Sequence, residues 1–349
     1  LSVDCDIVLT VYNNIELTRA CLDSLDRHFR ARDRLIIVDN GSDRPTQEFL
    51  KEWKTAHPGT PAEILRLEPN QGFLRAANAG LKRSTGKTVC LLSNDTIVTG
   101  GWLERMISLL ERSAHLGVVN PMSTTFGLYP QPGQTPEDVA QALAASRSGE
   151  FVEAVSCVGF CMLIRRQVIE RIGYLDEVFA DGYFEDSDFC RRAGKAGFGC
   201  AIARDAYVWH REHATFKGTQ REALFARNRA IFEERWGRPQ RQLFILDPEP
   251  GAVKAMSDAC LRSARLGNWL WVVVPRRLIQ HFEVLRAHGN IQVKSGAGLW
   301  FLLFPFWLLL TKRKKRIDEV YLNSRGFRVK AGWLRALCAG KVKEIRDEE

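Results

Sequence analysis

Over the first 120 residues, short apolar runs alternate with stretches whose apolar positions recur at helical spacing, and no other feature narrows the fold as much. "DIVLTVY" (6–12), "RLIIVDN" (34–40), "AEILRLE" (62–68) and "KTVCLLSND" (87–95) have strand character. Between and after them lie helical patterns over 15–28, 45–54, 73–84 and 102–113; in the first, Leu17, Cys21, Leu22 and Leu25 share one face. Strands alternating with helices of this length imply an α/β protein, with a mostly parallel sheet covered by helices on both faces. Such sheets bind ligands at the carboxyl ends of their strands. The polar residues that interrupt the pattern fall there: Thr10, Tyr12 and Asn13, then Asp39 to Asp43, then Asn94 and Asp95.

Further along, residues 120–150 read as a long irregular loop with one short helix near 137–146, and loops of this length often serve as lids or binding elements. Strand character returns at 155–166 and at 206–210, the latter ending on His210. A strong helix over 221–237 is stopped by Gly237 and Pro239, which sets a domain boundary: 1–237 as the α/β domain, 238–349 as a basic, aromatic-rich region of helical pattern. That region holds the most apolar stretches, "NWLWVVVP" (268–275) and "AGLWFLLFPFWLLL" (297–310), the second followed at once by "KRKKR" (312–316). A spanning helix needs ~20 apolar residues, so the expected element lies in the membrane interface against the anionic cytoplasmic leaflet. The competing reading is a buried helix pair beside a solvated charge run.

Charge is unevenly placed. Residues 214–349 carry 26 Lys and Arg against 13 Asp and Glu, whereas residues 1–213 carry 24 against 28. A basic half of this kind suits anionic lipid or a polyanionic substrate. Nucleic acid is not expected as a partner, because the aromatics sit in apolar runs instead of interleaving with the charges. Nine cysteines without CxxC pairs or zinc spacing imply a reducing compartment and no disulfide framework. The chain enters a strand pattern at once, without signal-peptide character, and its initial Leu leaves residues upstream open.

Three motifs have the residue types that chemistry needs. In "VDNGSDR" (38–44), Asp39 ends a strand and Asn40-Gly41 makes a turn; a carboxylate there can accept from the N3–H of uracil or thymine, or simply shape the loop as an Asx-turn. In "LLSNDT" (91–96), Asp95 lies just past a buried strand, a station for Mg²⁺ or Mn²⁺ completed by substrate phosphates. In "GYFEDSDFCRR" (182–192), Glu185, Asp186 and Asp188 fall within four positions. They suit a helix N-terminus, and Asp188 can pair with Arg192; one of them can also act as a general base.

Taken together and in order, "VLTVYNN", "IIVDNGSD", "NQGFLRAANAGL" (70–81), "LLSNDT", "GFCMLIRR" and "GYLDEVFADGYFEDSDFCRRAGKAGF" (173–198) resemble the family 2 inverting glycosyltransferases of GT-A fold, with a look of their bacterial rhamnosyl- and galactofuranosyltransferase-like members. The resemblance covers about residues 5–237 and implies a Rossmann-like GT-A domain that binds a nucleotide-diphosphate sugar and a divalent cation, Mn²⁺ or Mg²⁺. Carried over by position, Thr10 and Tyr12 line the nucleotide site, Asp39 contacts the base, and Asn70, Gly72 and Asn78 border the diphosphate and sugar. Asn94 adjoins the donor, Asp95 and His210 hold the metal, Asp186 is the base and Glu185 holds an acceptor hydroxyl. The family's DxD motif is here Ser93-Asn94-Asp95, with one carboxylate in place of two.

The implied protein is a cytoplasmic, peripheral membrane glycosyltransferase that takes a dTDP- or UDP-sugar and extends a lipid-linked or cell-surface glycan, as in lipopolysaccharide or other envelope polysaccharide synthesis. The missing carboxylate argues for an alternative, a catalytically silent nucleotide-sugar-binding or scaffold protein. A nucleotidyltransferase would need a glycine-rich, basic loop after the first strand, and "TVYNNIEL" has none.

Overall fold

In the computed structural model, which describes residues 4–211, 219–298, 303, 317–323 and 342–344, strand β1 (Cys5–Val11) is buried along its whole length. Its near-continuous apolar run is what a parallel strand covered on both faces requires. β1 pairs in parallel with β2 (Asp33–Asn40) and with β4 (Thr88–Ser93), and β2 pairs in parallel with β3 (Ala62–Leu67). Helices α1 (Ile15–Arg27), α2 (Arg44–Ala56) and α3 (Phe73–Arg83) make the connections. Beyond them follow β5 (Thr96–Val98), α4 (Trp102–Arg112), β6 (Leu116–Met122), α5 (Pro136–Ser146), β7 (Phe151–Ala154), β8 (Cys161–Arg165), α6 (Arg166–Ile172), α7 (Glu185–Lys195), β9 (Gly199–His210) and α8 (Thr219–Trp236). The strands form one nine-stranded sheet in the order β3-β2-β1-β4-β8-β6-β9-β5, with β7 beside β9. β8 runs antiparallel to β4 and β6, and β5 antiparallel to β9. The α/β sheet expected from the alternating pattern is the observed one.

Period-two alternation sorts the core into two layers. Ile7, Leu9 and Val11 pack with Leu22 and Leu25 of α1, Phe49 and Trp53 of α2, and Leu103 and Met106 of α4. On the other face Val8, Ile36, Val38 and Leu91 meet Ala76, Ala77 and Leu81 of α3 and Phe189 of α7. α3 lies so close to the sheet that a Cβ on Gly80 would stand 2.2 Å from Cγ1 of Val8 and 3.0 Å from Cγ2 of Val38. The register then gathers the polar residues at one edge: Val11 lies beside Asp39, Thr10 beside Ser93, and Thr96 opposite His210.

Residues up to Val152 together with Ser156–Trp236 form this unit; Glu153–Val155 and the residues from Gly237 onward form a second. The helical pattern expected after 238 is corrected there. Strands β10 (Arg241–Leu246), β11 (Trp269–Pro275), β12 (Ile291–Gly296), β13 (Glu319–Asn323) and β14 (Val342–Glu344) make a parallel sheet in the order β12-β11-β10-β13-β14, with α9 (Val253–Arg265) after β10. The run "NWLWVVVP" is β11, buried from Leu270 to Val274. An apolar run this short has no period that separates a buried strand from a helix, and its β-branched valines favour the strand. The interfacial element expected over 297–316 lies outside the described residues except for 297, 298 and 303. Among the described residues no helix is long and apolar enough to cross a membrane, and the eight cysteines there are reduced and buried.

Because α3 leaves no space at Gly80, Gly80→Val is expected to overpack the helix–sheet contact and destabilise the protein by ~1–3 kcal/mol or more. Calorimetry should record a lower melting temperature, and an unchanged one would contradict the packing.

Candidate active site

The carboxyl ends of β1, β2 and β3 form the first wall. Asp39 is 2% exposed; its Oδ1 accepts from the Ser42 amide at 3.0 Å and its Oδ2 from Nη1 of Arg66 at 2.6 Å. Asp39 is thus held by an Asx-type turn and by a cation from the neighbouring strand, a partner that no motif in the sequence marks. Asn13 ties the β1 loop to β2: its amide donates to Oγ of Ser42 and its Oδ1 accepts from the Asp43 amide. Thr10 is buried and Tyr12 is 43% exposed at the rim.

Asn70 and Gly72 stand next to this wall. Nδ2 of Asn40 donates to Oδ1 of Asn70 at 3.0 Å and to the Gly72 carbonyl at 3.2 Å, and the Gly72 amide donates back to Oδ1 of Asn70 at 2.8 Å. Gly72 caps α3 at φ +83°, and a Cβ there would strike Oδ1 of Asp181. Asn78, expected at the diphosphate, is not brought together with them. It is 3% exposed, its Nδ2 donates to the Leu175 carbonyl and Oε1 of Glu177, and its Oδ1 accepts from the Leu175 amide. Asn78 shares the inward face of α3 with the buried Leu74 and Leu81, four residues before it and three after. Nearness to Gly72 in sequence therefore does not give the two residues a common surface.

The second wall is where β4 ends. Asn94 donates from Nδ2 to Oγ1 of Thr18 at 2.9 Å. Oδ1 of Asp95 lies 3.3 Å from Nε2 of His210, because the antiparallel pairing of β5 with β9 folds the end of β9 back over the turn after β4. The other ring nitrogen of His210, Nδ1, is 2.9 Å from Oγ1 of Thr125, and the Thr124 hydroxyl donates to the His210 carbonyl. The imidazole stacks on Phe160 at 5.0 Å between ring centroids. Thr125 lies in no quoted motif, and Phe160 lies in "GFCMLIRR" without any sign there that it meets His210.

Phe160 leads to the third wall. The amide of its neighbour Gly159 donates to Oδ2 of Asp186 at 3.2 Å, while Oδ1 of Asp186 accepts from the Ser187 amide and hydroxyl. Asp95, His210 and Asp186 are thereby linked through residues 159–160. Asp188 is fully buried and braces the site: Arg192 donates to its Oδ2, and Arg235 and Trp236 donate to its Oδ1. Glu185 is 7% exposed with no partner for Oε2. Burial, together with the adjacent Asp186 charge, pushes its carboxyl up to about 8, and burial also raises Asp186 against the pull of Gly159 and Ser187. Two neighbouring acids share one negative charge more readily than two: burial without a partner for Oε2 favours the proton on Glu185, and the hydrogen bonds from Gly159 and Ser187 favour the charge on Asp186.

The backbone that delivers this pair is strained. Ala180, Tyr183 and Phe184 have φ of 53°, 67° and 75°, a region that costs non-glycine residues free energy and is common at functional sites. Asn228 of α8, with no exposed surface, holds it: Nδ2 donates to the carbonyls of Phe179, Gly182 and Tyr183 at 2.7, 2.6 and 3.2 Å. The amphipathic pattern of 221–237 does not single out Asn228; an asparagine on a helix face that packs inward is the signal that could have found it.

A carboxyl whose value is about 8 when folded and about 4.5 when unfolded stabilises the fold while protonated. That contribution is complete below pH 4.5 and is lost as the pH rises towards about 8. Glu185→Gln should remove this part of the slope in urea titrations taken across that range, and an identical slope in the variant would contradict the assignment.

Residues 6–173 match the family model described as Glycosyl transferase family 2. The chain is 25% identical over 210 residues to "Glycosyltransferase AglE" of Haloferax volcanii, covering 58% of this chain and 66% of that protein. It is 27% identical over 207 residues to "Succinoglycan biosynthesis protein ExoM" of Rhizobium meliloti, covering 58% and 65%. It therefore spans just under two thirds of the length of these two relatives. In fold it is similar to GalNAc-T7, solved with UDP, GalNAc and Mn²⁺, at a TM-score of 0.53 and 14% identity over 66% of this chain and 48% of that one. The sheet order and its neighbours are those of the GT-A fold. The likeness to the glycosyl transferase family 2 model thus spans residues 6–173, just under half of the chain.

Proposed function

We propose that the protein is an inverting glycosyltransferase that moves a sugar of rhamnose, galactofuranose or galactose type from a dTDP- or UDP-linked donor to a hydroxyl of a lipid-linked or cell-surface glycan. The observation that carries this reading is the link through residues 159–160, which ties Asp186 to the paired Asp95 and His210.

In a direct displacement the acceptor hydroxyl attacks the anomeric carbon from the face opposite the diphosphate. The new C–O bond forms as the bond to the diphosphate breaks, and the configuration inverts. Asp186 takes the hydroxyl proton; each carboxylate oxygen has two acceptor positions, so the Gly159 amide leaves room on Oδ2 for the acceptor. Glu185, protonated beside it, donates to an acceptor oxygen and keeps the pair at a single charge. Asp39 retains acceptor positions for the N3–H of the base, with Tyr12 at the rim, Thr10 below, and Asn70, Gly72 and Asn94 along the donor path.

The residues at the second wall fit a hard divalent cation. With the proton on Nδ1 and directed at Thr125, Nε2 of His210 and Oδ1 of Asp95 present two lone pairs to one point, and an N,O pair suits Mn²⁺ better than Mg²⁺. Such a cation supplies charge neutralisation for the leaving diphosphate. The similar fold of GalNAc-T7, solved with UDP and Mn²⁺, supports both the uridine donor and the metal. ExoM's part in succinoglycan biosynthesis supports a polysaccharide acceptor. The aromatic and basic stretch 297–316 is the part suited to an anionic membrane surface.

Asp186→Asn should keep the fold and donor binding, read by titration calorimetry with UDP- and dTDP-sugars, while transfer falls by ~10²–10⁴-fold. Normal turnover in this variant removes the base. Donor binding by the native protein without transfer under any cation would favour the silent binder. Asn228→Asp replaces the amide donors with oxygens that face three carbonyls; kcat is expected to fall at least tenfold with nucleotide affinity unchanged, which a purely structural role would not produce in the folded fraction.

A further inference from the structure

Directly behind the carboxylate pair lie three thiols that the transfer chemistry does not use. Cys157 precedes Gly159 by two residues, Cys190 follows Asp186 by one turn of α7, and Cys200 lies at the start of β9. Their Sγ atoms are all within 4.8 Å of one another, and the residues are 0%, 2% and 5% exposed. The Cys157 amide donates to Sγ of Cys190 at 3.2 Å, and Sγ of Cys157 donates to the Ala201 carbonyl at 3.5 Å. The surroundings are apolar, with Val118, Met162, Phe189 and Ala193 in the same cluster. Cys90 and Cys161 also approach one another, at 3.9 Å, but as a pair.

Charge decides what such a cage can hold. Three thiolates around Cu⁺ leave two negative charges, and around Zn²⁺ they leave one and lack the fourth ligand that zinc prefers. Burying uncompensated charge in an apolar interior is costly. A trivalent centre with three thiolates is neutral, and arsenous acid itself is a small neutral molecule at pH 7. We propose that Cys157, Cys190 and Cys200 form a three-thiol site for a trivalent thiophilic centre of the arsenite class, and that its occupation switches off the adjacent carboxylate pair.

The step balances without an oxidant. As(OH)₃ and three thiols give As(SR)₃ and three waters: three As–S bonds form, three As–OH bonds break, and each thiol proton leaves on a hydroxide. Burial pushes the Cys157 thiol up, so it enters as the protonated form this exchange uses. Sulfurs that share one centre at bonds of ~2.3 Å stand no more than about 4 Å apart, so closure draws α7 towards the 157–159 segment. Gly159 and Asp186, whose hydrogen bond is 3.2 Å long, lie on the two pieces that move. The loss of activity rests on the transferase reading, whereas the binding does not.

The test uses the full chain, kept reduced with a phosphine, and sodium arsenite as the probe. Arsenic retained after desalting is expected at one atom per chain, bonded to three sulfurs by X-ray absorption, with a raised melting temperature. Cys157→Ala, Cys190→Ala and Cys200→Ala should each weaken binding at least tenfold, and Cys90→Ala should leave it unchanged. Circular dichroism identifies any variant that does not fold; Cys200→Ser, at the least buried of the three, then replaces it. Retention that none of the three substitutions weakens overturns the site, as does tighter binding of Cu⁺ or Zn²⁺ than of arsenite. Stoichiometric binding with undiminished transfer overturns the switch alone. A native protein without transfer activity overturns the proposed function and the switch, while the arsenic measurement still decides the site.

Discussion

Neighbouring carboxyls in a buried place cannot all carry charge, and the first unit is arranged around that conflict. Three acids occupy four positions at the start of α7, and each has a different fate. Glu185 keeps its proton because it is buried without a partner for one oxygen. Asp188 is neutralised by Arg192 and Arg235. Asp186 is met by neutral donors, the Gly159 and Ser187 amides and the Ser187 hydroxyl, near the positive end of the helix dipole. A cation paired directly with Asp186 would lower its proton affinity further. Amide donors stabilise the charge while leaving the proton affinity usable.

Much of this is legible from the sequence where a signal is local. The strand–helix alternation of the first 120 residues reports the sheet because each element there is long enough to have a period. The i, i+4 pair Asp188–Arg192 and the turn at Asp39 are contained within a few residues and are readable for the same reason. What escapes is set by tertiary contact. Arg66 reaches Asp39 only through the pairing of β2 with β3. Thr125 and Phe160 meet His210 only because the end of β9 returns over β5. Asn78 lies near Gly72 in sequence but on the inward face of α3, a separation that sequence distance does not show. The second sheet reads as helix because strands of six or seven residues are too short to reveal which period they follow.

The site also separates two kinds of work. Backbone amides at positions 159 and 187 hold the carboxylate, and a side-chain amide, that of Asn228, holds the backbone. The strained turn at 180–184 is held by hydrogen bonds from a separate helix in addition to its own backbone bonds. Local propensity would relax this turn, so its conformation is a property of the assembled unit.

Asn228 lies 55 positions beyond the point where the family match stops at residue 173, and Asp186 and His210 are past that point too. A truncated clone cut to the matched segment would keep Asp39 and Asp95 while discarding Asp186, His210 and the asparagine that holds the strained turn. The smallest piece with a complete crevice runs through α8 to Trp236. Expression boundaries for this domain are therefore set by the last helix that grips the turn, well downstream of where the recognisable sequence ends.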